Sequence, residues 1–403
     1  MLNKIKEMAR PVSRAYLVNE ICPYCFEKYK LRQTPFRCAN HGSKCAHRKD
    51  EVKAKVWKIE TPTGKVLEPT GWFAYKMRCS VCGESSRKRI CPHCHMDLPN
   101  STGKFRNYIF AIIGAKDSGK SHYLAVLIEQ IKQWVGPSLG LLLSELGEHT
   151  IKRYRESFYD PVYKNHKVIR NTVSAFVDPE VKLPLVFDLG FQKKAKSAKP
   201  RITNSVTLVF FDTAGEDLNN QDTMAVVNRY IYQSDGIILL LDPLQLPWVR
   251  DQLGERVPLP KENIEISDIV IRTTNLIQEG RQFAHNDYVP IPLAVAFSKF
   301  DAVQSLIDPQ FQLNAQSNHT AGFDARDFEA INSEMQSLLS AWHGNFLIEQ
   351  VTSRYKNVGF FGLSALGCNP HGDNKIPRVI PKRIEDPFLW LLHHHKLIKS
   401  AKY

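Results

Sequence analysis

The run Gly114-Ala115-Lys116-Asp117-Ser118-Gly119-Lys120-Ser121 constrains this chain more than any other feature. It follows an apolar stretch, Arg106–Ile113, that reads as a buried strand. It opens into His122–Val135, where Leu124, Val126, Leu127 and Ile131 recur at helical spacing. A strand, G-x4-G-K-S and a helix in that order form a cradle for phosphate. The backbone N–H groups of residues 115–121 wrap the anion at the positive end of the helix. Lys120 is placed to reach the β- and γ-phosphates, and the Ser121 hydroxyl to bind Mg2+. Gly114 and His122 close the two ends of the cradle.

The remaining apolar stretches extend this start into a sheet. Pro184–Phe191 and Ser205–Phe211 read as strands around a basic connection, residues 192–204. The second leads into Asp212-Thr-Ala-Gly-Glu-Asp217. An aspartate at the end of an apolar strand suits a water-mediated contact to Mg2+, and Gly215, without a Cβ, lets its N–H face the γ-phosphate. Gly236–Asp242 is a third strand. Pro292–Phe297 is a fourth and ends in Ser298-Lys299-Phe300-Asp301. Asn357–Leu363 is the last and leads into Ser364-Ala365-Leu366. The expected class is α/β, a P-loop NTPase with a mostly parallel sheet flanked by helices.

This ordered set, spanning residues 108–366, resembles the P-loop GTPases of the TRAFAC class, the small-GTPase and translation-factor type. The G-x4-G-K-S and D-T-A-G motifs match. Ser298-Lys-Phe-Asp301 resembles the N/T-K-x-D element, whose carboxylate accepts from guanine N1–H and N2–H2 and whose lysine stem lies over the purine. Ser364-Ala365-Leu366 resembles the element whose backbone N–H meets guanine O6. The resemblance implies GTP or GDP as ligand, Mg2+ as cofactor, and Lys120, Asp212 and Glu216 as the catalytic set. Glu216 stands where many relatives have glutamine, so slow intrinsic hydrolysis is expected. Ser298 stands where asparagine is usual, which removes an amide that ties this loop to the phosphate loop. The switch threonine that closes on Mg2+ would be Thr172, the sole threonine between an expected helix (143–159) and Pro184. The long span before Ser205 reads as a helical insertion at about 136–183. That insertion, the Pro184-Leu-Val-Phe187 strand and the Asp386-Pro-Phe-Leu-Trp-Leu-Leu392 ending resemble the bacterial double-GTPase families of multi-gene conflict systems. The resemblance implies a role in a defence-type pathway.

A different chemistry precedes residue 105. Eight of the nine cysteines lie there, and residues 1–105 hold 21 basic against 9 acidic side chains, nearly all of the chain's net +13. Cys79-Ser-Val-Cys82 and Cys91-Pro-His-Cys94 form C-x2-C-x8-C-x2-C, the spacing of a four-thiolate zinc site. Cys22-Pro-Tyr-Cys25 with Cys38 and Cys45 gives a first site, in which His41 or His47 could replace either of the last two. The sequence thus predicts two structural zinc ions, held by Cys22, Cys25, Cys38 and Cys45 and by Cys79, Cys82, Cys91 and Cys94. Val52–Glu68 alternates around Pro62-Thr-Gly-Lys65 and suggests a β-hairpin. The expected division is a first zinc module (1–50), a hairpin with a second zinc module (51–104), and a GTPase domain (105–403). Arg87-Lys88-Arg89, with Trp72, Phe73 and Tyr75, makes nucleic acid one candidate partner of the head, and a protein effector another.

No run approaches the roughly 18 apolar residues of a membrane span. The expected location is cytoplasmic. The whole reads as a Mg2+-dependent GTP-hydrolysing switch whose zinc head contacts a partner. The alternative is a non-hydrolysing GTP-binding module that grips nucleic acid or protein.

Overall fold

The computed structural model describes residues 19–40, 45, 48–71, 74–105, 107–169, 183–195, 198–211, 221–254, 257–260, 265–284, 287–317, 319–370 and 374–401. Three small antiparallel pairs come first: β1 (Asn19–Ile21) with β2 (Lys28–Lys30), β3 (Phe36–Arg37) with β4 (Val66–Leu67), and β5 (Met77–Arg78) with β6 (Ser85–Ser86). Helix α1 (Glu51–Trp57) lies between β3 and β4 in the chain.

Among the described residues the body is one seven-stranded sheet made of β7 (Ile109–Gly114), β8 (Leu141–Glu145), β9 (Leu185–Ala195), β10 (Ala198–Phe210), β11 (Gly236–Leu241), β12 (Leu293–Phe297) and β13 (Val358–Gly362). Its order is β13-β12-β11-β7-β10-β9-β8. The pairs from β13 through β10 are parallel, while β9 runs antiparallel to both β10 and β8. Helices α2 (Lys120–Gln130), α3 (Gly136–Leu139), α4 (Gly147–Tyr154), α5 (Gln221–Gln233), α6 (Pro247–Leu253), α7 (Ile266–Arg281), α8 (Ala325–Ala341), α9 (Asn345–Thr352) and α10 (Asp386–His394) complete it. The expected α/β architecture, with a mostly parallel sheet flanked by helices and cysteine clusters before it, is the observed one.

Side-chain alternation explains why these strands read as continuous apolar runs. Ile109, Ala111, Ile237, Leu239, Leu293 and Val295 enter one core with α5, α7 and α8. Phe110, Ile112, Ile238, Leu240, Ala294 and Ala296 enter the other with α2 and α10. A sheet covered on both faces has no position where a polar residue is free of cost. Helix α2 follows the same logic, with Tyr123 through Ile128 all buried. Pro387 starts α10, where a missing N–H costs nothing.

Three expected elements came out differently. The alternation in 52–68 does not make a hairpin. Asp50 caps α1 by accepting from the Lys53 N–H (3.1 Å), and Ala54 and Trp57 bury one face of that helix. The expected helix at 143–159 is a strand followed by a helix. Gly140 and Gly147, at φ +71° and +78°, break the chain on either side of β8, and Leu141-Leu-Leu143 pairs with β9 as the sheet's edge. The insertion at 136–183 therefore contributes a strand as well as helices. Finally, the two strands set around 192–204 are one long hairpin, since β9 and β10 continue through that basic connection.

Candidate nucleotide site and metal centres

The phosphate-binding loop leaves β7 at Gly114, where there is no room for a side chain. A Cβ there would lie 2.4 Å from the Leu240 carbonyl oxygen and 2.7 Å from Ser118 Oγ. Asp117 and Gly119 both take positive φ (60° and 83°), so successive backbone amides turn inward and form a concave anion site. Ser118 is buried, and its hydroxyl donates to the Ala115 carbonyl (2.8 Å). Lys120 lies within the loop, its Nζ donating to the carbonyls of Gly114 (3.0 Å) and Ala115 (2.7 Å). Ser121 stands one residue further into the first turn of α2. His122 accepts through Nε2 from the Ile169 N–H (3.0 Å), joining α2 to the insertion. Lys116 and Asp117 are exposed.

Two loops from neighbouring strands meet this one. Ser298 follows β12, and its hydroxyl donates to the Ser118 carbonyl (2.8 Å). The loop tie that the sequence reading took as lost with the missing asparagine is present, made by a hydroxyl to a backbone oxygen. Lys299 sits at φ +53° and pairs with buried Asp242 (2.6 Å), the residue that follows β11. Asp242 also accepts from the Leu244 N–H (2.9 Å), so its carboxylate is fixed before it meets the lysine. Sequence alone assigns Asp242 no role. The signal for one was a carboxylate at the end of a buried strand, as at Asp212.

The Ser364 hydroxyl donates to Asp301, and the Gly367 N–H donates back to Ser364 Oγ (2.9 Å). Both residues line one open pocket of about 330 Å3 with Gln304, Asn314, Gln316 and Lys382. The segment 380–382 is bridged to it from Ile380 to Leu366 (2.9 Å) and between Lys382 and Ser364 (2.9 and 3.0 Å). Ala365 and Leu366 thus lie on a loop braced by a second chain segment. That segment carries no recognisable motif. Thr172, Asp212, Gly215 and Glu216 lie outside the described residues.

The eight cysteines before residue 105 are all gathered, but not as their order along the chain suggests. Cys22 and Cys25 join Cys91 and Cys94, and Cys38 and Cys45 join Cys79 and Cys82. Within the groups, Sγ atoms lie 3.7 Å (22 to 94), 3.8 Å (25 to 91), 3.5 Å (38 to 82) and 4.0 Å (45 to 79) apart. Four thiolates at about 2.3 Å from a tetrahedral zinc would be about 3.8 Å apart, whereas a disulfide needs about 2.05 Å. Both groups therefore fit zinc.

Strand pairing explains the exchange. The Ile90 N–H donates to the Pro35 carbonyl (2.9 Å) and the Arg37 N–H to the Lys88 carbonyl (2.8 Å). Residues 87–90 thus run extended beside 35–37 and carry Cys91 away from Cys82. The turns after Cys25, Cys82 and Cys94 share one geometry, with Phe26, Gly83 and His95 at φ 58°, 76° and 55°. His93 and His95 are not ligands. His95 Nδ1 pairs with Asp50 (2.8 Å), which also holds Arg37 (2.9 Å). Burial raises the Asp50 carboxyl, but Arg37, the Lys53 N–H and His95 outweigh it and hold it below the usual range.

The inner group (Cys22, Cys25, Cys91, Cys94) is continuous with the core of the body. The Phe26 ring packs at a tilt of 45° against Tyr230 of α5, 5.2 Å between centroids, and Arg229 Nε donates to the Cys25 carbonyl (3.1 Å). Burial pushes the Cys22 and Cys94 thiols well up, so thiolates in this dry setting require a dication to balance them. The outer group belongs to a separate small cluster with Phe36 and Leu67. Among the described residues, no helix is long and apolar enough to cross a membrane.

No family model matches the sequence. A curated relative, SaeC of Mycolicibacterium smegmatis, a candidate ESX-1 scaffolding and assembly protein, is 28% identical over 394 residues, covering 92% of this chain and 97% of its own. Similar solved structures include the Saccharomyces cerevisiae Ski7 GTPase-like domain bound to GDP and inorganic phosphate, at 15% identity and a TM-score of 0.30. The same domain bound to GTP matches at 16% identity and a TM-score of 0.30. The chain spans about half of those solved chains (50% and 51%), with 72% and 73% of itself aligned.

Proposed function

We propose that the chain is a Mg2+-dependent switch that binds and hydrolyses GTP and meets a partner through its zinc-bearing head. The observation that supports this most is the meeting of three loops. Ser298 bonds the Ser118 carbonyl of the phosphate loop (2.8 Å), three residues before the pocket carboxylate Asp301, which Ser364 braces. The Asp301 carboxylate on the pocket wall matches guanine's N1–H and N2–H2, and a backbone N–H of Ser364-Ala365-Leu366 would meet O6; adenine offers the opposite polarity at N1 and at the 6-position.

In this reading Lys120 and the amides of residues 115–121 hold the β- and γ-phosphates. Ser121, Thr172 and Asp212 would hold Mg2+, which when bound would offset the charge of the triphosphate. The Gly215 N–H would meet the γ-phosphate, and Glu216 would orient water. A carboxylate at that place adds negative charge beside the γ-phosphate, so turnover by the chain alone is slow. A cation supplied by a partner would be worth on the order of 10^3–10^5 in rate. The name of SaeC, which speaks of scaffolding and assembly, favours a protein as that partner. The likeness to double-GTPase families adds a bacterial defence-type setting. Glu216 also favours a second reading, a GTP-binding module that does not hydrolyse. Single-turnover phosphate release separates the two.

The test is equilibrium binding of GTP and ATP to the magnesium-loaded chain and to Asp301→Asn. The substitution replaces an acceptor with a donor amide. GTP should weaken by roughly a hundredfold, while xanthosine triphosphate, whose C2 carbonyl suits that amide, gains. Equal affinity of the native chain for GTP and ATP would remove this reading.

A further inference from the structure

We infer that the outer zinc lobe carries a stacking platform for single-stranded nucleic acid. This goes beyond the nucleotide switch and does not rest on it. The platform is built on the β5–β6 hairpin, whose register pairs Met77 with Ser86 and Arg78 with Ser85. Continuing that register sets Lys76 opposite Arg87 and Tyr75 opposite Lys88. Tyr75 is 61% exposed. Lys76 Nζ and Arg87 Cζ each lie 5.7 Å from its ring centroid.

The basic cluster divides by role. Arg89 turns inward, lying over the Phe36 ring at 4.5 Å and donating to the Leu31 carbonyl (3.2 Å). Arg78 Nε donates to the Gly83 carbonyl (2.8 Å), closing the knuckle turn. Lys76 and Arg87 remain at the surface beside Tyr75, and Lys88 is at the surface in an exposed pair with Asp97 (2.8 Å). From Ala74 to Arg89 the chain has five basic residues and one acidic, Glu84.

The chemistry favours a flexible polyanion with flat faces. Tyr75 lies outside the small cluster that holds the lobe together, so its ring is not needed for packing. A base stacks on such a ring, and cations on the ring's rim meet the flanking phosphates. A duplex hides the faces of its bases, so a single strand is the ligand. A protein partner would call for a broader apolar patch. Within the described residues of 74–89, Tyr75 and Val81 are the exposed large apolar side chains.

The test uses the zinc-loaded full chain without nucleoside triphosphate, so its outcome is independent of GTP binding. Labelled oligo-U and oligo-dT of about 15 nucleotides are titrated by fluorescence anisotropy between about 50 and 200 mM KCl. Binding should weaken with salt at a log–log slope of about −2, from roughly three phosphate contacts at about 0.7 each. Tyr75→Ala should weaken binding by about 5- to 100-fold at unchanged zinc content, while Tyr75→Phe keeps it within about twofold. Arg87→Gln should reduce the slope by about 0.7. Equal affinity for the two strands assigns recognition to bases and phosphates, and a preference for oligo-U adds the 2′-hydroxyl; either supports the proposal. Absent binding, or a Tyr75→Ala variant that binds as the native chain does, overturns it. An acidic peptide that binds as tightly as the strands also overturns it and makes the lobe a protein-docking surface.

Discussion

Ser298 shows how one side chain can keep a contact by a different route. A serine hydroxyl is shorter than an asparagine amide, yet it reaches the Ser118 carbonyl at 2.8 Å and the Leu241 carbonyl at 3.1 Å. Ser118 and Ser298 are 180 residues apart, so no local pattern announces the bond. The phosphate loop was legible because its chemistry depends on local spacing: two glycines, a lysine and a serine in eight residues, between a strand and a helix. Ser298→Ala would leave a buried carbonyl short of a donor, at a cost of about 1–3 kcal/mol. We expect guanine-nucleotide affinity to fall about 5- to 100-fold by calorimetry, with a smaller loss in Ser298→Thr, which keeps the hydroxyl. An unchanged affinity in the alanine variant would show that the tie is idle.

At the scale of elements, what sequence periodicity missed was where tertiary pairing overrode local preference. Leu141-Leu-Leu143 suits a helix or a strand, and the hydrogen bonds offered by β9 decide for the strand. The polar run before α8 supplies buried His319 to a network across three elements. His319 Nε2 meets Asp386 of α10 (3.0 Å), and Arg383 meets Asp386 (2.9 Å) and Asp327 of α8 (2.8 Å). Burial lowers the affinity of His319 for a proton, but the hydrogen bond and charge of Asp386 outweigh it and hold its pKa above the ordinary value.

A histidine held above its unfolded value near about 6.5 adds stability that is full below that pH and fades as pH rises through the folded value. The native chain should therefore melt lower at about pH 8.5 than at about pH 6, and His319→Gln should flatten that slope. Asp327 acts with the opposite sign. Arg383 and Gln312 hold it low against the effect of burial, so its contribution is present above the usual carboxylate range and lost as pH falls through its lowered value. A slope unchanged in His319→Gln would remove His319 as its source.

For the whole molecule, the exchange of cysteine partners changes what each metal holds together. Had each site closed on neighbouring pairs, the head would be two beads on a string. Instead the inner site joins the first and last knuckles and is buried against α5 of the body, while the outer site sits in its own cluster. Structural zinc supplies roughly 10 kcal/mol or more to small domains of this kind. Cys91→Ser should therefore release one zinc and lower the unfolding midpoint of the entire chain. Cys79→Ser should release one zinc and cost the body much less, read as a separate early transition. Equal shifts in both variants would mean that the two sites are energetically one.

By itself the sequence determined which chemical groups are present and which local geometries they can take. A phosphate cradle, strands buried on both faces, three knuckle turns and a carboxylate beyond the fourth parallel strand are all short-range facts, written in spacing and periodicity. Which cysteines share a metal, which hydroxyl bridges two loops and which edge the Leu141–Leu143 run occupies were decided only in three dimensions. The reason is that each of these choices is made by hydrogen bonds and burial between segments far apart in the chain. Their free energy exists only once the sheet has brought those segments together.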